Sequence, residues 1–143
     1  YVVEAAVKGR DNTNLKILAV TFLTSLNRMD LTQSLVRDGE ITDLVKERAR
    51  VAFASGADGV ICSASDIQKV RELRSPTKKI IVTPGIRLTG TFKNDQKRTG
   101  DPAAAINDGA DFLVIGRPIT ASACPLEKLN EITDHVLLNV NDK

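Results

Sequence analysis

Small polar and cationic residues follow four short apolar runs in this sequence, each at the point where the run ends. Thr24 and Ser25 come after the first run, and Ser63 comes after the second. The third run is followed by Pro84-Gly85-Ile86-Arg87 and the fourth by Gly116-Arg117-Pro118. Glycine lets a backbone N–H approach a ligand closely, and arginine binds phosphate through two parallel hydrogen bonds. The pattern therefore predicts a site for a phosphate group.

The four apolar runs have the composition of buried parallel strands. They are rich in β-branched residues and continuous rather than alternating, which is typical of strands covered on both faces. Ligands of parallel α/β folds bind beyond the carboxyl ends of the strands, so the residues that follow the runs are expected to share one edge. The runs cover 17–23, 59–62, 79–83 and 111–115.

Segments of helical period separate the runs, with apolar residues along one face and charges on the other. Asp101 and Pro102 mark the start of one helix, because Asp accepts hydrogen bonds from the free N–H groups and Pro fits the first turn. Strands that alternate with helices through right-handed crossovers predict a parallel α/β sheet. The other helices are predicted at 2–8, 41–52, 64–73 and 125–138.

Two of the predicted joints between a helix and a strand share one phrase. Ser55-Gly56-Ala57-Asp58-Gly59 precedes one strand and Asp108-Gly109-Ala110-Asp111 precedes another. Glycine suits the left-handed turn that ends a helix, so the phrase indicates two copies of one αβ unit. The pattern fits both a small doubly wound sheet and half of a barrel, and periodicity does not separate the two.

Composition excludes several classes of protein. The 143 residues include 20 basic and 18 acidic side chains and are 42% hydrophobic, which is enough for one core. A net charge of +2 without a basic stripe, and 3% aromatic residues, argue against nucleic acid as a partner. No apolar run approaches the ~20 residues that cross a bilayer, and no leader opens the chain, so no membrane association and a cytoplasmic location are expected.

A long charged connection, 84–100, follows the third run. Connections of this length in compact domains are often active-site lids, and the alternative is a solvated surface loop. Alternatives also stand for the candidate ligands. In these alternatives no ligand is bound: Thr24 and Ser25 cap the next helix, and Arg87 and Arg117 form ion pairs with neighbouring carboxylates.

The remaining titratable residues favour structural roles. His135, the one histidine in the sequence, has no Cys or carboxylate cluster at metal-ligand spacing. Asp66 and Lys69 lie three apart in a predicted helix, which indicates a surface pair. Cys62 and Cys124 are expected to be reduced and structural. These residues offer no cluster for a metal ion.

Five phrases occur in one order along the chain, and together they resemble a known family. They are Ala19-Val20-Thr21-Phe22-Leu23-Thr24-Ser25, Ala57-Asp58-Gly59-Val60-Ile61-Cys62-Ser63-Ala64, Val82-Thr83-Pro84-Gly85-Ile86-Arg87, Asp95-Gln96-Lys97-Arg98 and Gly109-Ala110-Asp111-Phe112-Leu113-Val114-Ile115-Gly116-Arg117-Pro118-Ile119-Thr120. They resemble strands five to eight, and the phosphate-gripping loop after the seventh, of the bacterial branch of the orotidine 5′-phosphate decarboxylase family. The resemblance covers nearly the whole chain from Lys16 onward.

The resemblance implies the C-terminal half, about four βα units, of a TIM (β/α)₈ barrel of the ribulose-phosphate-binding type, with 1–143 as part of a single domain. It implies a carboxy-lyase that uses no metal ion or organic cofactor and converts orotidine 5′-monophosphate to uridine 5′-monophosphate and CO₂ in de novo pyrimidine biosynthesis, and a homodimer when full length. Thr24 would lie near the pyrimidine, Pro84 would shape the wall around it, and Arg87 and Gln96 would bind the ligand. Gly116 and Arg117 would hold the phosphate.

The sequence departs from the family in one large respect. The catalytic Asp-x-Lys-x-x-Asp phrase of the third strand, whose Lys protonates the carbanion, occurs nowhere in these residues. The chain opens at Tyr1 within a helical pattern, so we expect the N-terminal half to be absent and the fragment alone to be inactive. Two alternatives stay open: a keto-sugar-phosphate decarboxylase or aldolase of a related barrel that uses magnesium, and a non-catalytic half barrel that binds phosphate ligands.

Overall fold

Four parallel strands form one sheet in the structure, a computed structural model that describes residues 2–33, 38–88 and 98–141. Each strand lies within one of the predicted apolar runs, so the strand predictions are confirmed. The strands are β1 (Leu18–Val20), β2 (Gly59–Ile61), β3 (Ile80–Thr83) and β4 (Phe112–Leu113).

Helices alternate with the strands, as predicted. They are α1 (Val2–Gly9), α2 (Arg28–Gln33), α3 (Ile41–Ala54), α4 (Ile67–Arg71), α5 (Pro102–Asp108), α6 (Arg117–Thr120) and α7 (Pro125–Asn139), with a 3₁₀ turn at Ala64–Asp66 before α4. The Asp101 carboxylate caps α5 by accepting the N–H groups of Ala103 and Ala104 at 2.9 and 3.1 Å. Within the described ranges, no helix is both long and apolar enough to cross a bilayer.

The strands follow one another in sequence order, β1-β2-β3-β4, and every neighbouring pair is parallel. A doubly wound sheet reverses its strand order at a switch point, whereas a barrel winds in one direction. The sequential order therefore resolves the choice that periodicity left open, in favour of half of a barrel.

Helices of the described chain pack against one face of the sheet. On that face Val60, Cys62 and Ile81 are buried among the apolar residues of α3 and α4. Side chains alternate along a strand, so the positions between them point to the opposite face. There the register aligns a row of apolar side chains, Val20, Ile61, Val82 and Phe112.

This apolar row lies on the face that a closed barrel turns inward. Its two end members, Val20 in β1 and Phe112 in β4, are 56% and 60% exposed. They belong to the two outer strands of the sheet. The described chain thus carries an uncovered apolar face between two open edges.

The repeated glycine phrase ends a helix and then fixes the start of the neighbouring strand. Gly56 and Gly109 adopt φ values of +90° and +112°, the left-handed turn that the phrase predicted. Asp58 and Asp111, two residues after these glycines, accept hydrogen bonds from backbone N–H groups at or near the starts of β1 and β3. The donors are the N–H groups of Ile17 and Ile81, each at 2.8 Å.

Replacing Asp111 by Asn is expected to destabilise the protein by about 1.5–3 kcal/mol, because its carboxylate accepts charge-assisted hydrogen bonds. Arg71 Nη2 and Lys78 Nζ lie 2.6 and 2.7 Å from the carboxylate oxygens, and the Ile81 N–H donates as well. Burial raises the pKa of Asp111, but these three donors outweigh it and hold the pKa below the ordinary value of 3.8.

A lowered pKa means that Asp111 stabilises the fold above its unfolded-state pKa and that this contribution is lost as the pH falls through the folded value. Urea unfolding at a fixed chain concentration, from pH 7 down to about pH 3, measures the effect. The Asp111→Asn variant should lose less stability on acidification than the parent. Asp134→Asn, an exposed site on α7, is the control, and equal acid sensitivity of all three proteins would contradict the role of Asp111.

Candidate functional site

The carboxyl ends of the four strands bring the predicted polar residues to one edge of the sheet. Thr24 follows β1 and is buried, and Ser63, two residues after the end of β2, is fully buried. Arg87 follows β3, and Arg117 follows β4 on an exposed position. Because the strands are parallel and in register, the structure places these four residues along the same edge, which we call the mouth of the sheet.

Pro84 and Gly85 turn the chain after β3 so that Arg87 points back into the protein. Gly85 is buried and adopts a φ of +76°, a conformation that glycine reaches without strain. Arg87 is only 8% exposed, and its Nη1 donates to the carbonyl of Ile86 at 2.7 Å. A guanidinium keeps its charge when buried, so Arg87 places a permanent positive charge at the mouth.

Gly116 lies between β4 and α6, and Arg117 is the first residue of α6. Gly116 is exposed, and a Cβ added to it would meet no atom within 4 Å. The backbone is therefore open to the close approach of a ligand at this point. Since β3 and β4 are neighbouring strands, Arg87 and Arg117 approach the mouth from adjacent positions.

A short segment, 98–100, runs across the mouth and joins the ends of β1 and β3; we call it the crossing segment. The Arg98 N–H donates to the carbonyl of Thr24 at 3.2 Å. Gly100 forms a parallel bridge with Ile86, in which its N–H donates to Gly85 at 3.3 Å and its carbonyl accepts the Arg87 N–H at 2.9 Å. The backbone at Thr24 is thereby tied to the backbone at Arg87.

The prediction of a surface pair between Asp66 and Lys69 was wrong. Asp66 is fully buried, and its Oδ2 lies 2.6 Å from Nη1 of Arg98. Lys69 instead pairs with Glu72 at 3.5 Å. The physical reason is the 3₁₀ turn Ala64–Asp66, which replaces the first turn of the predicted helix and directs Asp66 inward, toward the mouth. Helical spacing gives no signal for a partner that lies 32 residues away in sequence.

Burial dominates the electrostatics next to β2. It raises the pKa of Asp66, although Arg98 and the hydrogen bonds from Ser65 and Ser63 act in the opposite direction. Burial also raises the pKa of Cys62 to about 12, so the thiol stays protonated at neutral pH and has a structural role. Cys124 is exposed, and neither cysteine forms a disulfide.

The alternative in which Thr24 and Ser25 cap the next helix is contradicted. Asn27 caps this helix instead. Its Oδ1 accepts the N–H of Asp30 at 3.1 Å, and Oδ2 of Asp30 accepts the N–H of Asn27 at 2.7 Å. Thr24 therefore remains a candidate for ligand binding. Gln96, the remaining candidate, lies outside the described residues.

His135 has the structural role that was predicted. Its Nε2 lies 3.0 Å from Oδ2 of Asp101, the residue that caps α5. In the part of the chain that the structure describes, no three His, Cys, Asp or Glu side chains come together as ligands for a metal ion.

Comparison with known proteins identifies close similarities. The sequence profile of the orotidine 5′-phosphate decarboxylase / HUMPS family matches residues 1–132. The chain is 54% identical over 119 residues to orotidine 5′-phosphate decarboxylase of Jannaschia sp. (strain CCS1) and 51% identical over 125 residues to that of Ruegeria pomeroyi. These matches cover 83% and 87% of this chain but 52% of each relative. The chain thus spans about half the length of the curated relatives it matches.

A solved structure confirms the predicted fold. Orotidine 5′-phosphate decarboxylase from Lactobacillus acidophilus aligns with a TM-score of 0.72 at 30% identity, over 94% of this chain and 57% of that one. The described chain therefore has the architecture of about half of that barrel.

Proposed function

Because the chain belongs to the orotidine 5′-phosphate decarboxylase / HUMPS family, we propose that it forms the nucleotide-binding half of an orotidine 5′-phosphate decarboxylase. The reaction is the conversion of orotidine 5′-monophosphate to uridine 5′-monophosphate and CO₂, in de novo pyrimidine biosynthesis. The proposal rests on the arrangement of Arg87 and Arg117 at the ends of adjacent strands, with Thr24 tied to Arg87 through the crossing segment.

The two arginines are proposed to hold the 5′-phosphate between β3 and β4. Arg87 contributes a buried positive charge and Arg117 an exposed one, next to the open backbone of Gly116. Two guanidinium groups are the side chains best suited to a phosphate dianion, since each offers parallel N–H donors. This end of the mouth fixes the position of the nucleotide.

The pyrimidine is proposed to lie toward β1. Thr24 offers a hydroxyl for the polar edge of the base, and Pro84 offers an apolar surface beside it. Gln96 is proposed to bind the ligand from the connection after β3, as the family resemblance implies. Hydrogen bonds to the base and charge at the phosphate would together select a pyrimidine nucleotide over a free phosphate.

Binding and chemistry are separated in this proposal. Loss of CO₂ leaves a carbanion, which a positioned acid must protonate. Arginine does not give up its proton at neutral pH, so Arg87 and Arg117 hold the substrate without serving as that acid. We therefore propose that residues 1–143 are part of a single barrel domain and that the acid comes from its other half. The full-length polypeptide is further proposed to be a cytoplasmic homodimer.

A keto-sugar-phosphate decarboxylase or aldolase would need the same phosphate grip, so the arginines alone do not discriminate. Relatives that are 54% and 51% identical carry the name orotidine 5′-phosphate decarboxylase, which supports the nucleotide enzyme. A non-catalytic module is supported only by the missing catalytic phrase. Turnover of orotidine 5′-monophosphate by the full-length protein without added magnesium would favour the nucleotide decarboxylase over both the keto-sugar-phosphate enzyme and the non-catalytic module.

The Arg117→Ala variant of the full-length protein is expected to bind uridine 5′-monophosphate more weakly by about 1.5–3 kcal/mol, the cost of one charge-assisted contact. Calorimetric titration with uridine 5′-monophosphate and with uridine measures the two ligands separately. Uridine affinity should be unchanged, because uridine has no phosphate. Arg74→Ala is the control, because Arg74 lies between α4 and β3, away from the carboxyl ends of the strands. Equal weakening of both ligands would exclude Arg117 as the phosphate ligand.

A further inference from the structure

A buried ion pair lies against the mouth and has no part in the proposed binding scheme. Asp66 is 0% exposed and Arg98 is 11% exposed, with Nη1 and Oδ2 at 2.6 Å. Ser65 Oγ donates to the other carboxylate oxygen at 3.4 Å. The Nε and Nη2 atoms of Arg98 are also buried, and neither has a hydrogen-bond partner within the described part of the chain.

Stability does not account for this pair. Two charges lose their hydration on burial, and the attraction between them compensates only when the remaining donors and acceptors are satisfied. The Nε and Nη2 groups of Arg98, which no described residue bonds, add a further cost. A well-packed apolar pair of the same size would stabilise the fold as well or better. The pair is better explained by the geometry that it enforces.

That geometry is the placement of the crossing segment. Asp66 follows β2, so the ion pair fixes Arg98 over the end of that strand. The backbone of Arg98 then bonds to Thr24 beyond β1, and Gly100 bonds to Gly85 and Arg87 beyond β3. One short segment thus touches the carboxyl ends of three successive strands.

Gly100 supplies a second, independent sign that the segment is held tightly. A Cβ at position 100 would overlap the Cβ of Ala64, the first residue of the 3₁₀ turn Ala64–Asp66. The backbone of Gly100 therefore lies directly on that turn. The φ of Gly100 is not left-handed, so the glycine is required by space and not by conformation.

We propose that Asp66 and Arg98 are positioning residues that set the distance between the base-binding and phosphate-binding ends of the site. Through the crossing segment they hold Thr24 and Arg87 in a fixed relation, and neither needs to touch the nucleotide. The inference rests on the proposed function for the identity of the ligand. The anchoring itself is a property of the protein without ligand.

The first test uses Arg98→Met and Arg98→Lys in the full-length enzyme, with Arg50→Met as the matched control. Arg50 is an exposed arginine that pairs with Glu47 on α3. Arg98→Met should raise the inhibition constants of both uridine 5′-monophosphate and uridine by about tenfold or more, because misplacement by an ångström is enough for such an effect. Arg98→Lys retains a cation for the single contact to Asp66 and should recover most of the affinity.

Hydrogen exchange tests the anchoring in the absence of ligand. The amides at positions 98 and 100 should exchange faster in Arg98→Met than in the parent and in Arg50→Met, since the segment opens more often. Unchanged exchange at both amides would overturn the inference. So would a weakening confined to uridine 5′-monophosphate, which would make Arg98 a direct phosphate ligand, or a lower melting temperature with unchanged affinities.

If Arg98→Met does not fold, a second pair of variants tests the positioning role of the crossing segment. Gly100→Ala should displace the crossing segment from Ala64 without altering any charge, and should weaken both ligands. The double variant Ala64→Gly/Gly100→Ala restores the space and should restore both affinities. Failure of this rescue would overturn the positioning role. A parent enzyme that neither binds uridine 5′-monophosphate nor decarboxylates its precursor would instead refute the proposed function, whatever the amide exchange reports.

Discussion

Purified alone, the 143-residue chain is expected to decarboxylate orotidine 5′-monophosphate no faster than buffer does. Within the part of the chain that the structure describes, the cations placed at the mouth are Arg87, Arg98 and Arg117, and arginines do not protonate a carbanion at neutral pH. The Asp-x-Lys-x-x-Asp phrase occurs nowhere in the sequence. Relative to a full-length enzyme the loss should be about a millionfold or more, the lower range of enzymatic rate enhancements.

Chromatographic measurement of uridine 5′-monophosphate formation tests this expectation, with the full-length enzyme as the positive control. Titration of the same preparation with uridine 5′-monophosphate distinguishes an inactive binding half from a misfolded one. Turnover above the buffer rate would place a proton donor within these residues. Asp66, whose pKa burial raises, would then be the first candidate, and Asp66→Asn would test it.

The strands and the mouth were predictable from sequence because their causes are local. A continuous β-branched run such as 79–83 has few alternatives to a buried strand, and the residue that follows it must lie at the carboxyl end. The φ values of Gly56 and Gly109 likewise follow from helix ends that only a short range of sequence determines. Arg87 and Arg117 could be assigned to one edge without knowing the order of the strands.

The barrel winding and the Asp66–Arg98 pair were not predictable in this way. Strand order depends on which strands meet in space, and the same four apolar runs would fit a doubly wound sheet. Asp66 and Arg98 are 32 residues apart and meet only after β2, β3 and the crossing segment have assembled. Local spacing favoured Lys69 as the partner, and tertiary packing overrode it.

In solution the isolated chain is expected to self-associate and to show a mass above its own 15.5 kDa. Val20 and Phe112 are 56% and 60% exposed at the two ends of the apolar row, and β1 and β4 are open edges. Exposed apolar faces and unpaired strand edges both favour pairing with another chain. Light scattering coupled to size-exclusion chromatography, at chain concentrations from about 1 to 100 µM, spans the usual range of such weak association.

The double variant Val20→Lys/Phe112→Lys tests whether this face is responsible for the association. Both side chains are largely exposed in the single chain, so the substitutions should leave the fold intact and weaken association at least about tenfold, or about 1.4 kcal/mol. Leu138→Lys is the control, because Leu138 is a highly exposed leucine on α7, away from the sheet. A parent chain that stays monomeric at the highest concentration would contradict the half-barrel interpretation. If Leu138→Lys abolished association and the double variant did not, the contact would lie on α7. A lysine weakens association only where the contact surface buries its charge.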